Sequence, residues 1–381
     1  MGSRRLFSFL ILFFTLSGFG KAAFAAHEEG HDAHETGKEA GFDASKVIFG
    51  HIRDAHDWHL FDLDGHPVSI PLPVIIYSQS RGLSVFSSSK FGHAPHHEFH
   101  NGYTLDDATG KIVSETPGEA FHDLSMTKNV ISMLLSVILL VWIMSRVASK
   151  YKRNGVMTAP SGFQNALEVI IVFMRDEVAK PSLGYKYMRF MPLLLTIFFF
   201  IWINNLLGLL PGGANFTGNI AVTGCLALIS FLVMVFNGNK HFWGHLFNPP
   251  GVPFGIKLLL VPIEIISLFI KPVALMIRLF ANILAGHIII LSIISMIFIF
   301  GTLSAVAGWG FVPVSLAFSI FMFFLELLVG AIQAFIFANL TAVFIGQAVE
   351  EGHSEHVHEE YHTHNAETGQ EYHVSKNEVI A

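Results

Sequence analysis

Cysteine and charge are what this sequence has least of. Of 381 residues one is cysteine, Cys225, set inside an apolar run, so an intrachain disulfide and a thiolate metal site are both excluded. Charged residues make up 14% of the chain against 52% hydrophobic residues. From Leu258 to Val349 the only charges are Glu264, Lys271, Arg278 and Glu326, with His287 as the one further titratable imidazole. The formal charge of −6 resides mostly toward the ends and leaves a nearly neutral middle, which offers no basic surface for nucleic acid. The stretches 211–218 and 301–313 contain no Lys or Arg at all.

What is present is apolar length. Several runs are long enough to cross a hydrocarbon core of ~30 Å, and this is an integral membrane protein. Its fold class is all-α, with about five transmembrane helices, one amphipathic surface helix and a small exported N-terminal region containing β-structure. Lys128 to Val147 is the first span, and Arg146, Lys150, Lys152 and Arg153 follow it as a cytoplasmic marker. Phe163, Leu167, Ile170, Ile171, Met174 and Val178 recur at helical spacing opposite Gln164, Glu168, Arg175 and Asp176. That pattern predicts a helix lying at the cytoplasmic surface, ended by Pro181 and Gly184. Phe190–Leu210 spans outward, Asn219–Phe236 returns inward, and a loop carrying Lys240, His241 and His245 follows.

The last two tracts are too long for upright helices. Leu258–Phe300, 43 residues, reaches about 64 Å as continuous helix, roughly twice the membrane core. Without a turn cluster to fold it back, the tract predicts one long helix, steeply tilted or bent near Pro262 and Pro272. Val312 to about Val349 predicts the same.

The ends differ in kind. Residues 1–25 read as a secretory signal peptide, with Arg4 and Arg5, an apolar core and Ala23-Phe24-Ala25. Residues 26–123 form an exported, periplasmic His-rich region, where Asp64-Gly65 and a second polar turn in GYTLDDATGKIVS predict a small β-meander. Its histidines lack zinc-type ligand spacing, so the region reads as a solvated extension, with metal handling as the sharper alternative. Residues 124–350 form the membrane domain, and 351–381 a polar His-rich tail. The N-terminus is expected outside and the C-terminus in the cytoplasm.

Chemistry concentrates in KPVALMIRLFANILAGHIII, Lys271 to Ile290. Glu264, Lys271 and Arg278 are seven apart and share a helical face, joined by Asn282. His287 lies nine residues past Arg278, about 180° round the helix. On the final helix Glu326 and Gln333 share a face. A guanidinium at membrane depth costs ~2.5–3.5 kcal/mol on insertion scales, so Arg278 is expected at a bundle interior, a partner or a water path. Arginine does not deprotonate, so Arg278 can attract an anion or repel cations but cannot relay a proton. His287 and Glu326 can titrate, and Asn205, Asn282 and Gln333 can orient water. Within its own helix Arg278 finds no acid in reach, which favours an intramembrane partner bearing one. Lys271 beside Pro272 reads as a snorkelling interfacial cation, and Glu264 as either an exit group or a marker of the membrane edge. Ala281, Asn282, Ala285 and Gly286 add a small-residue surface where another helix approaches.

IKPVALMIRLFANILAGH followed by AIQAFIFANLTAVFI resembles subunit a of the F-type ATP synthase, over roughly residues 125–350 and including NNLLGLLP. The resemblance implies a proton-translocating membrane stator without nucleotide chemistry or cofactor. It also implies a surface helix and two long tilted helices. Its partners would be the c-ring, a b-type peripheral stalk and lipid, in a bacterial plasma membrane. Arg278 would act on the c-ring carboxylate and separate two half-channels. His287 and Glu326 fall on the titratable pair of the outer half-channel, Gln333 on a polar position facing the arginine, and Asn282 and Asn205 on further polar positions. Some members hold the pair as Glu then His; here the order is exchanged. Gly208 stands where some members hold an acid, which would leave the outer channel to Asn205. The rival reading is a self-contained secondary transporter, but no repeat relates the two halves.

Overall fold

The first membrane helix begins on a hydrogen-bonded seat. α1 (Lys128–Asn154) follows Thr127, and its first amides are satisfied from far away in sequence. Lys128 N–H donates to the Ala55 carbonyl (3.0 Å), and Asn129 N–H to Asp54 Oδ1 (3.2 Å). An unpaired helix N-terminus is costly away from water, so these bonds fix the N-terminal region to the helix that follows it. Lys152 and Arg153 occupy the last turn, where cations oppose the negative end of the helix dipole, and Gly155 at φ 77° stops it.

The structure, a computed structural model, describes Ile48 and residues 54–350 apart from 64–65, 93–98, 107–109, 117, 156–158, 211–212 and 215, together with the backbone of 361–364 and 371–374. The expected signal segment, His27, His31, His34, His51, His93, His96, His97 and most of the His-rich tail lie outside the described residues.

The region before α1 is β-structure built from hairpins. β1 (Asp57–Leu63) pairs antiparallel with β2 (His66–Pro71) across Asp64-Gly65. β3 (Pro73–Ser78) pairs with β4 (Gly82–Ser87), and β5 (Tyr103–Leu105) with β6 (Ile112–Ser114). β7 (Phe121–Asp123) then returns to β3, giving the order β4-β3-β7. Instead of a simple meander, the β5–β6 hairpin is inserted between sheet neighbours. Val74, Ile76, Phe91, Tyr103 and Ile112 form the core. Glu119 knots the edges together: its carboxylate accepts from the hydroxyls of Ser78, Ser114 and Ser80, and Arg81 lies 3.6 Å away.

Five helices among the described residues are long and apolar enough to cross a membrane. α2 (Phe163–Phe173) buries Leu167, and the wider turn Met174–Ala179 buries Met174 and Val178, as the periodicity predicts. Gln164, expected on the water face, is buried as well. The chain then continues through a helical turn, Lys180–Leu183, and three residues of tighter helix into α3 (Tyr187–Gly208). Pro181 therefore begins a turn rather than ending the helix, because the first positions of a helix tolerate a missing N–H. Gly184, at φ 54°, supplies the bend. α4 (Ile220–Asn237) is capped by Asn219, and the stretch read as a loop contains a short helix, α5 (Lys240–Phe247).

α6 (Phe254–Leu303) runs unbroken for 50 residues through Pro262 and Pro272, and α7 (Ala305–Val349) for 45 through Pro313. Only Ser304 separates them. At 1.5 Å per residue they measure about 75 and 68 Å, so no upright placement fits a core of ~30 Å. α7 contributes most of the buried side of this hairpin, with Ala334, Phe337, Ala338, Ala342 and Ile345 inaccessible, and its three alanines are small enough for close approach.

Candidate functional site in the long helical hairpin

Among the described residues, four polar side-chain contacts lace α6 to α7. Ser315 Oγ donates to the Ile293 carbonyl (2.8 Å), and His287 Nδ1 lies 2.5 Å from Glu326 Oε1. Asn282 Nδ2 donates to Gln333 Oε1 (2.9 Å), and Lys271 Nζ to Gln347 Oε1 (2.9 Å). Polar groups in lipid must find partners in protein, so these bonds give the two apolar helices a register that packing alone would leave loose.

At the titratable pair a third element closes in. His287 Nε2 lies 3.2 Å from the Gly208 carbonyl at the end of α3. A carbonyl can only accept, so Nε2 carries its hydrogen, and the Nδ1–Oε1 contact then holds one mobile proton. Either an imidazolium donates to a carboxylate or a carboxylic acid donates to a neutral imidazole. Glu326 is buried, and its second oxygen, Oε2, has no partner among the described residues. Gly286 makes room for it: a Cβ there would lie 2.9 Å from Glu326 Oε1. Gly286 thus belongs to the α7 contact rather than to the small-residue surface beside Arg278, which keeps Ala281 and Ala285, both exposed.

Asn205 is buried on α3 and bridges to the hairpin, donating to the Gly330 carbonyl (2.9 Å) while accepting from Thr217 Oγ1 (2.8 Å). Thr217 was not legible as a site residue, since nothing in its local sequence says which helix it meets. Asn204, the other half of the pair, turns away to Ser136 on α1 (2.9 Å).

Arg278 stands apart. It is exposed, as are Ile277, Ala281 and Asn282 around it, and among the described residues it makes no hydrogen bond or ion pair. Glu264, on the same helix, is half-buried and does not meet it. Gln333 bonds to Asn282, one turn from Arg278, rather than to the guanidinium. The hairpin therefore presents a lone fixed cation on one side and a buried proton-holding pair on the other.

The profile of the ATP synthase A chain family matches residues 130–346, more than half of the chain. The chain belongs to this family. Similar proteins include ATP synthase subunit a of Chloroherpeton thalassium, 44% identical over 242 residues that cover 62% of this chain and 70% of the relative. Subunit a of Pelodictyon phaeoclathratiforme is 41% identical over 268 residues, 68% of this chain and 77% of its own. That of Myxococcus xanthus is 40% identical over 263 residues, 66% and 80%. Within F-type subunit a the chain is a multi-pass membrane component of the F0 sector and not a catalytic subunit. A second profile, a domain of unknown function, matches residues 47–133, which contain the β-structure seated on α1.

Proposed function

We propose that this chain forms two proton half-channels against a c-ring and couples proton flow to its rotation. Protons reach the buried pair from outside past Asn205, Glu326 and His287, pass to a c-ring carboxylate, and leave toward the cytoplasm on the side of Arg278 and Glu264. Arg278 attracts the deprotonated carboxylate and blocks a direct path, since a group that never deprotonates cannot hand a proton on. Asn282 and Gln333, bonded to each other one turn away, hold the helices around it. A b-type stalk would keep the chain static while the ring turns, with the N-terminus outside and the C-terminus in the cytoplasm.

One observation carries this reading: the exposed arginine has no acid of its own, although a charge at membrane depth calls for one. The unpartnered guanidinium asks for a carboxylate from another chain. The test is Arg278→Ala in inverted vesicles containing the assembled synthase, with ATP-driven proton pumping and passive leak both measured. Pumping is expected to vanish; unchanged pumping would sink the mechanism.

A further inference from the structure

The outer approach to Glu326 has one more hydroxyl than the titratable pair explains. Ser319 lies seven residues before Glu326 on α7, hence on nearly the same face and about 10.5 Å nearer the Ser304 turn. Its Oγ is buried and has no hydrogen-bond partner among the described residues. Hydroxyls in membrane helices ordinarily bond back to the carbonyl four residues earlier. Ser230, Ser292, Thr196 and Thr341 all do so here, to Leu226, Ile288, Pro192 and Phe337. Ser319 does not use that option.

Its neighbours on the α7 row define the setting. Ser315, one turn further out, is bonded to Ile293 on α6, and Glu326, two turns further in, is bonded to His287. Ser319 therefore sits between two points where α6 and α7 are laced together. Glu326 Oε2 and, seven residues beyond, Gln333 Nε2 are buried and likewise lack protein partners. An orphaned buried polar atom costs roughly 1–3 kcal/mol, and buried water is the usual way of satisfying several in a row.

We infer that Ser319 is a positioning residue of the outer proton path, holding water that leads to the free oxygen of Glu326. This rests on the proton-path reading above. Serine suits the place because its hydroxyl both donates and accepts and has no charge to trap a proton. Its partner is water or hydronium, delivered along the α6–α7 seam.

The test uses Ser319→Cys, Ser319→Thr and Ser319→Val in the assembled synthase, with the buried Cys225 replaced by serine. In each variant, co-purification of c subunits measures assembly. Silver ion applied from the outer side should inhibit proton pumping severalfold in S319C and leave the serine parent unaffected. S319T should pump normally, because it keeps the hydroxyl, and S319V should pump severalfold more slowly at equal assembly. Inertness of S319C to silver, or full pumping by S319V, overturns the inference. Arg278→Ala runs alongside as the control for the underlying reading. If that variant keeps pumping, the channel reading itself falls; if it fails to pump while S319V behaves as wild type, only the role of Ser319 falls.

Discussion

His287 and Glu326, 39 residues apart in sequence, meet at 2.5 Å between α6 and α7, and the opposite nitrogen of the same ring reaches the Gly208 carbonyl. Because the carbonyl fixes the hydrogen on Nε2, the Nδ1–Oε1 contact is where a proton lies between ring and carboxyl. A pair that shares one proton is suited to pass it on without holding it tightly.

Exchange of the two residues tests this coupling. His287→Glu alone places two acids together, and Glu326→His alone places two imidazoles together; each should cut ATP-driven pumping strongly. The double variant restores one acid and one imidazole and should recover a substantial part of the activity. Pumping in the double variant no better than in the worse single would show that the two act independently.

Gly286→Ala is a gentler probe of the same site. The added Cβ would stand 2.9 Å from Glu326 Oε1, the far end of a flexible side chain, so the carboxylate can move and the fold should survive. What moves is the oxygen bonded to His287. Loss of a charge-assisted hydrogen bond is worth about 1.5–3 kcal/mol, which corresponds to a fall in pumping of about tenfold or more at unchanged assembly. Normal pumping by this variant would show that the short contact is dispensable.

Gly346→Ala should fail differently. Its Cβ would lie 2.0 Å from the carbonyl oxygen of Ser182, a backbone atom that cannot rotate away. Overpacking of this kind costs typically 1–3 kcal/mol or more, and it would separate α7 from the segment linking α2 to α3. The expected result is a lower melting temperature and poor assembly, with pumping per assembled complex nearly intact. Equal stability of the G346A and parent complexes would contradict the close approach.

Much of this arrangement was legible because helical periodicity is rigid. Counting 100° per residue separated Arg278 from His287, and excess length foretold the unbroken α6 and α7. Periodicity gives faces but not neighbours. It put Gly286 with Ala281 and Ala285, whereas the crossing of α7 gives Gly286 to Glu326. It could not say that the Lys271 ammonium, read as an interfacial cation, is tied to Gln347 near the end of α7. Nor could it supply the partner of Gln333, which bonds to Asn282, one turn from Arg278. Thr217 and the Gly208 carbonyl were out of reach for a further reason: backbone acceptors carry no mark in a sequence, and loop residues have no period.

The N-terminal β-structure makes a prediction of its own, in acid. At Asp123, burial pushes the carboxyl upward, but bonds from the His56 ring and from the Ser125 hydroxyl and amide outweigh it and hold the pKa at about 2. At Glu119, hydrogen bonds from Ser114, Ser80 and Ser78, in that order, hold it at about 2 as well. Both values lie below the roughly 4 of an unfolded carboxylate, so the stability they contribute is complete above about pH 4.5 and is lost as pH falls toward 2. With 34% of its side chain exposed, Asp123 contributes about 1–2 kcal/mol after solvent screening. Hydrogen exchange over residues 73–124 of the full-length chain, corrected for intrinsic rates, should show constant protection down to about pH 4.5 and falling protection below it. Asp123→Asn should lower protection at neutral pH and flatten this dependence. Protection that persists unchanged to pH 2 in the parent would mean that neither carboxylate supports the fold through its charge.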